Sequence, residues 1–253
     1  ESSKKAQGKT NFLVDFQTRN SPNFKECVSR VHRGDIGEIA LGHVYYHAGR
    51  LGPQTKPGAS DDENRLRNWV FDIKLSGDII VEQNVHVLDV ANWYLNSHPI
   101  KAVGTGGRKV RTDIGDCYDH FVVTYTYPNG ATVDFSSAQF TKGYDDLCIR
   151  MYGSKGTADS HYAGANWGRG PVRIDGDNPW EGTERDNTWD AVDNNVKDFV
   201  QAFRSGEFIN HGDYAVSSTL TGVLGRTAAY AQAPVTWDEM IKKNEAYEVD
   251  LQL

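Results

Sequence analysis

Short apolar runs and helically spaced apolar positions alternate in the first quarter of the chain. Residues 11–17 form an apolar run that ends in polar residues, a pattern that predicts a buried strand. Ser21 precedes Pro22 and an i, i+4, i+7 apolar spacing, which predicts a helix over residues 22–33 with Ser21 as its N-cap. A looser alternation predicts a strand over residues 39–48, and the Gly, Pro, Ser and Asp content of residues 51–66 predicts a long loop.

The most apolar helical pattern of the chain covers residues 77–95. Its apolar positions recur with helical spacing, so we expect one continuous helix. The same segment carries four polar side chains that an ordinary core helix would lack: Glu82, Asn84, His86 and Asp89.

After Pro99 the rhythm changes to strands. Alternating segments joined by turn residues predict strands over residues 100–110, 118–127, 131–140 and 146–152. A Gly-, Asp- and Trp-rich stretch over residues 163–187 predicts a second long loop, and helices are predicted over residues 190–204 and 211–232. Strands followed by helices indicate an α+β domain with an open, mainly antiparallel sheet that helices cover on one face.

Composition and charge narrow the function. The 253 residues include 27 Lys+Arg and 34 Asp+Glu, for a formal net charge of −7. A surface with this charge repels phosphate and anionic lipid, so we expect neither nucleic acid nor membrane as a partner. No window approaches the roughly 18 consecutive apolar residues of a membrane-spanning helix. Three widely spaced cysteines give neither a disulfide framework nor a zinc spacing, so we expect inert thiols and no metal site.

Common catalytic motifs are missing. The sequence contains no phosphate-binding Gly-x-x-x-x-Gly-Lys-Ser/Thr loop, no Gly-x-Ser-x-Gly and no His-Glu-x-x-His. A glycine cluster at Gly104-Thr105-Gly106-Gly107 resembles a dinucleotide fingerprint, but Lys109 stands where the third glycine is required, and a strand rather than a helix is predicted to follow. We therefore expect no nucleotide cofactor to bind to this chain alone.

Glu82 and His86 are the strongest catalytic candidates. Spacing of i, i+4 would place them one turn apart on a helix, where the carboxylate could orient the imidazole and raise its basicity. The pattern fits a general-base pair, two metal ligands, or a solvated pair on an ordinary helix.

Further polar and aromatic residues are candidates for substrate contacts. Arg67, Asn68, Trp69 and Asn84 could bind a saccharide through polar groups and an indole face, although Trp69 could equally belong to the core. Arg19 follows the predicted first strand and could reach the same cleft. Asp119 and His120 are adjacent in a predicted strand and should point to opposite faces, so at most one can line a site, and we favour His120.

A series of short motifs resembles the glucose–fructose oxidoreductase, inositol dehydrogenase and MocA (Gfo/Idh/MocA) family. In chain order the motifs are Phe16-Gln17-Thr18-Arg19, Gly34-Asp35-Ile36-Gly37-Glu38-Ile39, Ser76-Gly77-Asp78, Glu82-x-x-x-His86-x-x-Asp89, Gly153-Ser154-Lys155-Gly156-Thr157, Gly222-Val223-Leu224-Gly225-Arg226 and Val235-Thr236-Trp237. Each motif is weak alone, but their order and spacing along nearly the whole chain are specific.

The resemblance implies the substrate and catalytic domain of an NAD- or NADP-dependent sugar or polyol oxidoreductase. Residues 1–18 would be the remnant of a nucleotide-binding Rossmann domain, and residues 19–253 the C-terminal domain that contacts substrate and forms the oligomer surface. His86 would be the catalytic acid/base, with Glu82 in place of the family's aspartate. The family's usual catalytic lysine lies in the nucleotide-binding domain and has no counterpart in this chain. The exposed face of the predicted sheet, within residues 118–152, would form a homo-oligomer.

Two other functions fit the same residues. One is a stand-alone, cofactor-independent lyase or isomerase of keto-sugars, in which Glu82 and His86 abstract a proton beside a carbonyl. The other is a non-catalytic carbohydrate-binding module. We expect a soluble protein, because no window is apolar enough to span a membrane, and it could be cytoplasmic or exported with a removed leader, since the start at Glu1 gives no evidence of compartment.

Overall fold

The computed structural model describes residues 1–162, 172–183 and 188–251. The α-helices of this part of the chain are α1 (Ser2–Ala6), α2 (Pro22–His32), α3 (Asp61–Arg67), α4 (Ile73–Ser76), α5 (Ile79–Glu82), α6 (Val85–Leu95), α7 (Thr188–Ser205), α8 (Gly212–Ala231) and α9 (Trp237–Lys243). Two 3-10 helices lie at Gln17–Asn20 and Trp69–Phe71.

Within the described residues, nine strands form one sheet. They are β1 (Ile39–Gly49), β2 (Lys101–Gly107), β3 (His120–Thr126), β4 (Thr132–Thr141), β5 (Asp146–Gly153), β6 (Gly156–His161), β7 (Arg173–Gly176), β8 (Trp180–Glu181) and β9 (Val235–Thr236). Their order across the sheet is β8-β7-β6-β5-β1-β4-β3-β2-β9. The pair β1–β4 is parallel, and the other neighbours are antiparallel. The first strand in sequence therefore lies at the centre of the sheet.

Helices cover one face of this sheet. Helix α8 packs on β2 and β3, and α6 packs on β1 and β5. Alternate strand residues point into this layer, and Val44, Phe121, Phe135 and Ile149 are each no more than 1% exposed there. The intervening residues, such as Val122, face away from the helices. The structure confirms the expected α+β class with an open, mainly antiparallel sheet.

Most predicted elements are confirmed, because their sequence signals are local. Helix α2 begins as predicted, with the Ser21 hydroxyl accepting a hydrogen bond from the Phe24 N–H at 3.2 Å. Strands β2, β3, β4 and β5 lie within three residues of their predicted bounds. The turn between β3 and β4 is closed by Gly130, whose φ of 86° is accessible to glycine at little cost.

Four predictions are wrong in whole or in part. Residues 11–17 form no strand: Phe12 makes one bridge to Asn210, and a 3-10 helix begins at Gln17. The first long loop contains α3, which the Ser60 side chain caps. The predicted helix over residues 77–95 is divided into α5 and α6 with a turn between them. The second predicted loop contains β7 and β8, and its residues 163–171 and 184–187 lie outside the described residues.

Among the residues that the structure describes, no helix is long and apolar enough to cross a membrane.

Candidate functional site

The turn between α5 and α6 carries the candidate catalytic residues. The N–H of Asn84 donates to the Ile79 carbonyl at 2.8 Å, a hydrogen bond that spans five residues instead of four. Such a wide turn adds one residue to the helical repeat and rotates the residues that follow by about 100°. Glu82, at the end of α5, and His86, at the start of α6, are therefore not the i, i+4 pair of a regular helix.

A buried aspartate fixes the start of α5. Asp78 is fully buried and has φ 79° and ψ 162°, a backbone conformation that non-glycine residues rarely adopt. Its carboxylate accepts hydrogen bonds from the N–H of Ile79 (2.6 Å), the N–H of Tyr118 (3.1 Å) and the hydroxyl of Tyr230 (2.6 Å). Burial, partly offset by these bonds, raises the pKa of Asp78 to about 6.

His86 lies between two aromatic rings. Its ring centroid is 5.7 Å from that of Phe16 and 5.4 Å from that of Tyr162. Its Nδ1 atom is buried without a hydrogen-bond partner among the described residues. Burial lowers the pKa of His86 to about 4, against a small opposing effect of the Asp15 carboxylate. The imidazole is therefore neutral near pH 7 and retains one nitrogen that can accept a proton.

Glu82 does not orient His86. No hydrogen bond or ion pair joins the two side chains in the described structure, and Glu82 Oε2 is itself buried without a partner. Burial alone raises the pKa of the Glu82 carboxyl. The predicted carboxylate–imidazole pair is thus replaced by two separate groups. Each has one buried polar atom that has lost its contact with water and has no hydrogen-bond partner in return.

The strands β1 and β4 supply further polar groups next to Glu82. Tyr46 is close enough for the Glu82 charge to raise the pKa of its phenol further, after burial as the main cause. In the β1–β4 register Tyr46 stands beside Ser137, and Ala48 stands beside Gln139. Gln139 Nε2 donates to Gln83 Oε1 at 3.1 Å, and this hydrogen bond connects β4 to the α5–α6 turn.

Tyr162 closes the site on the side of His86. Its hydroxyl donates a hydrogen bond to Gln17 Oε1 in the 3-10 helix at Gln17–Asn20. Burial raises the pKa of this phenol, and the nearby charges of Tyr46 and Asp15 raise it further. The Tyr162 ring contacts His86, and its phenol lies close enough to Tyr46 to be affected by the Tyr46 charge. Tyr162 therefore lies between His86 and Tyr46.

Arg19 and Asp89 form a structural ion pair. Arg19 Nε and Nη2 donate to the two carboxylate oxygens of Asp89 at 2.7 and 2.9 Å, and Asp89 is fully buried. The guanidinium also lies 3.9 Å from the centroid of the Tyr214 ring and 4.9 Å from that of Trp93. These contacts hold Arg19 against α6 and leave its substrate-binding role a prediction.

Arg67, Asn68 and Trp69 make no hydrogen bond, ion pair or ring contact with His86 in the described residues. Arg67 pairs with Glu63 one turn earlier in α3. The Asn68 amide is buried in the preceding loop, where it accepts from the Gln54 N–H at 2.8 Å. Trp69 is 45% exposed. A common substrate cleft that these three residues share with His86 therefore stays a prediction.

His120 does form a carboxylate–imidazole pair, with its sequence neighbour. Asp119 Oδ1 lies 2.6 Å from His120 Nδ1, and Asp119 Oδ2 accepts three backbone N–H groups from residues 109–111. The expectation that these two side chains must diverge is wrong, because Asp119 precedes β3 and is not held to strand alternation. Asn84, the remaining candidate, is buried at the α5–α6 turn with its Oδ1 unpartnered.

Sequence reasoning missed Tyr46, Ser137, Gln139 and Tyr162. A signal for two of them is present in β4, whose core-facing positions run Val133, Phe135, Ser137, Gln139 and so change from apolar to polar. Polar residues on the buried face of a strand require partners, and their free atoms indicate a ligand site or bound water.

A second titratable cluster lies on the opposite face of the sheet. Ligand atoms of Cys148, Asp159 and His161 fall within 4.8 Å of one another. Asp159, however, already pairs with Arg150 at 2.8 Å and with Arg173 at 3.2 Å. These cations balance the carboxylate, and burial raises the pKa of the Cys148 thiol to about 12. The cluster is an ion-pair network, and we assign no metal to it.

The glycine cluster in β2 does not fit a dinucleotide. A Cβ atom on Gly104 would lie 2.8 Å from the Val122 carbonyl oxygen, and one on Gly106 would lie 2.6 Å from the His120 carbonyl oxygen. These glycines permit close packing of β2 against β3, and they are not a helix N-terminus that could hold a pyrophosphate.

One protein of similar sequence and two solved structures resemble this chain. The protein described as "Uncharacterized oxidoreductase YrbE" of Bacillus subtilis (strain 168) is 28% identical over 149 residues, covering 57% of this chain and 38% of YrbE. Myo-inositol 2-dehydrogenase from Lactobacillus plantarum superposes with a TM-score of 0.69 at 18% identity, over 92% of this chain and 66% of that chain. Levoglucosan dehydrogenase in complex with NADH gives 0.67 at 14% identity, over 90% and 66%.

The two solved structures show a shared fold, and this chain spans less than two thirds of the length of each of the three proteins. A sequence profile of the GFO/IDH/MocA C-terminal domain matches residues 24–159, more than half of the chain. That range contains most of α2, strands β1 to β5 and both α5 and α6, and so includes Glu82 and His86. The chain belongs to the GFO/IDH/MocA C-terminal domain family.

Proposed function

We propose that this chain is the substrate-binding and acid/base domain of an NAD(P)-dependent oxidoreductase that acts on a C–OH group of a sugar or polyol. The observation that carries the proposal is His86: a neutral imidazole with a buried, unpartnered nitrogen, among other polar atoms that lack partners. Family membership and the solved myo-inositol and levoglucosan dehydrogenases support the reaction class.

His86 acts in this proposal as the general base. A base accepts a substrate hydroxyl proton only if it is unprotonated at the working pH, and a pKa of about 4 meets that condition near pH 7. Once protonated, His86 is a buried cation, and the negative charge of Asp15 favours that protonated form. The raised pKa of Glu82 makes it a weaker acid than an exposed carboxyl, and its Oε2 is free to accept a hydrogen bond from substrate.

NAD or NADP supplies the hydride acceptor when it is bound. We assign no residue of this chain to that cofactor, because the glycine cluster in β2 serves strand packing. We extend the proposal to the domain plan: residues 1–18, which include α1, adjoin a nucleotide-binding domain, and residues 19–253 form the substrate domain.

We also propose that copies of the chain associate through the exposed face of the sheet. The side chains of Val103 and Val122 lie on this face, 42% and 52% exposed, on neighbouring strands. Apolar patches on an exposed sheet face are typical of protein–protein contacts. Light scattering should show a dimer or larger species, and a monomer at high concentration would contradict this part.

The central test is an activity assay with NAD and NADP over a panel of sugars and polyols. It uses the protein in which this chain accompanies a nucleotide-binding domain. His86→Ala should lower turnover by about 10²–10⁴-fold, the usual contribution of a general acid/base. The matched control is His32→Ala, because His32 is an exposed residue of α2 that contacts neither Glu82 nor His86 in the described structure, and its Nε2 lies 2.8 Å from the Trp93 backbone carbonyl oxygen.

The control should retain near wild-type turnover. Equal activity of wild type and His86→Ala would refute the acid/base assignment. Turnover of a keto-sugar without nicotinamide would favour a lyase or isomerase instead, and sugar binding with no turnover by any variant would favour a carbohydrate-binding module.

A further inference from the structure

We propose that Asn84, Ser137 and Gln139 form a hydroxyl-binding wall beside His86, and that they bind the hydroxyl groups of a polyhydroxylated substrate that do not react. This inference rests on the proposed function and specifies how the site recognises its substrate class. The three residues come from the α5–α6 turn and from β4, outside the Glu82–His86 motif.

The wall residues belong to one site because a closed series of contacts joins them. Ser137 and Gln139 are two residues apart on the same face of β4, and therefore about 7 Å apart. Gln139 binds Gln83, which directly precedes Asn84. On the other side, Ser137 stands beside Tyr46 in the β1–β4 register, and the Glu82 charge is close enough to raise the pKa of Tyr46.

Each wall residue has a buried polar atom that no described group satisfies. These atoms are Asn84 Oδ1, Ser137 Oγ and Gln139 Oε1, and their residues are 1%, 4% and 0% exposed. An unsatisfied buried polar atom destabilises a protein, so three of them in one place indicate groups kept free for a ligand.

The free atoms specify the chemistry of that ligand. The amide oxygens of Asn84 and Gln139 can only accept hydrogen bonds, and the Ser137 hydroxyl can accept or donate. In the structure Gln139 Nε2 donates to Gln83 Oε1, which leaves Oε1 as the free end of the Gln139 amide. A wall made mainly of acceptors requires donors, and a sugar or polyol presents several O–H donors on one ring.

The unsatisfied Ser137 hydroxyl should give the protein an unusual response to substitution in its stability. Ser137→Ala removes an unsatisfied buried hydroxyl together with its desolvation penalty, so this substitution should stabilise the ligand-free protein. A serine that held the fold together would give the opposite result. Ser136→Ala is the matched control, because Ser136 lies on the other face of β4, where its Oγ is hydrogen-bonded with His47 Nε2 at 3.0 Å.

The experiment measures binding and stability on the purified chain. Isothermal titration calorimetry with myo-inositol, D-glucose and 2-deoxy-D-glucose gives Kd for wild type, Ser137→Ala, Gln139→Leu and Ser136→Ala. Thermal unfolding of the same proteins gives Tm. We expect Ser137→Ala and Gln139→Leu each to weaken binding of the preferred sugar by about 3–10-fold, as loss of one hydrogen bond predicts. Ser137→Ala should also raise Tm, and Ser136→Ala should leave Kd unchanged.

The outcomes separate the wall from the proposed function. A sugar that binds wild type, Ser137→Ala and Gln139→Leu equally well would overturn the wall and leave the proposed function intact. A lower Tm for Ser137→Ala would make Ser137 structural and would also overturn the wall. Binding of none of the three probes would overturn the wall as a polyol site, whereas the proposed function would still be decided by the His86→Ala turnover assay.

Discussion

Two buried groups near the α5–α6 turn should make stability respond to acid in opposite directions. His86 has its pKa lowered by burial from the usual 6.5 to about 4, whereas burial raises the pKa of Asp78 from 3.8 to about 6. In the unfolded chain both residues titrate near their usual values. Each group therefore binds a different number of protons in the folded and unfolded states between pH 4 and pH 6.5.

The signs follow from which state binds more protons. Between pH 6.5 and pH 4 unfolded His86 is protonated and folded His86 is not, so its contribution to the free energy of unfolding is complete above pH 6.5 and is lost as pH falls towards 4. Folded Asp78 holds a proton over most of that range and unfolded Asp78 does not, so acid stabilises the fold through this group. At 1.36 kcal/mol per pH unit, each effect reaches about 3 kcal/mol.

Urea unfolding at pH 7, 6, 5 and 4 separates the two effects. Compared with wild type, His86→Gln should gain up to about 3 kcal/mol of relative stability on acidification, and Asp78→Asn should lose a similar amount. The slope with pH is the readout, because each substitution also changes stability at pH 7. Wild type and His86→Gln with parallel profiles, or an NMR titration of His86 with a midpoint near 6.5, would show that the reasoning is wrong.

Two further substitutions test the packing around the site. Arg19→Ala leaves the fully buried Asp89 without its bidentate cation and should lower the free energy of unfolding by about 3–5 kcal/mol in urea titrations, and a loss below about 1 kcal/mol would contradict the buried ion pair. Gly115→Ala places a Cβ atom 2.0 Å from the Phe71 carbonyl oxygen and should destabilise by at least about 2 kcal/mol more than Gly58→Ala, which has a similar positive φ but open space around it; equal losses would refute the clash.

Local sequence signals were sufficient for most of the secondary structure. Alternation identified β3 and β4, and a Ser-Pro cap identified α2, because each signal depends on residues that are neighbours in sequence. The turn that separates Glu82 from His86 was not predictable in this way, because both of its helices have apolar positions that fit one continuous helix. Its wide hydrogen bond depends on how the two pieces pack in three dimensions.

The composition of the candidate site depends on strand order, which alternation does not reveal. Tyr46 meets Ser137 only because β1 pairs in parallel with β4, and a strand's own sequence does not name its partner. Tyr162 reaches His86 only once β6 has been placed beyond β5 in the sheet. His86 itself was found from its motif, but most of its neighbours come from distant parts of the chain.

The central position of β1 has a consequence for how the chain folds during synthesis. Leu41 pairs with Thr132, 91 residues later, and His43 pairs with Arg150, 107 residues later. Neither edge of β1 can therefore pair until β4 and β5 have been synthesised, much later than β1 itself. The other strands on each side of β1 pair mainly with strands that are close in sequence. Contacts of such long sequence separation slow folding and leave an unpaired strand open to association with other chains. A nascent chain released before residue 153 would carry β1 with no complete pair of neighbours, so we infer that assembly of the sheet, and with it the Tyr46–Ser137 contact, is a late event.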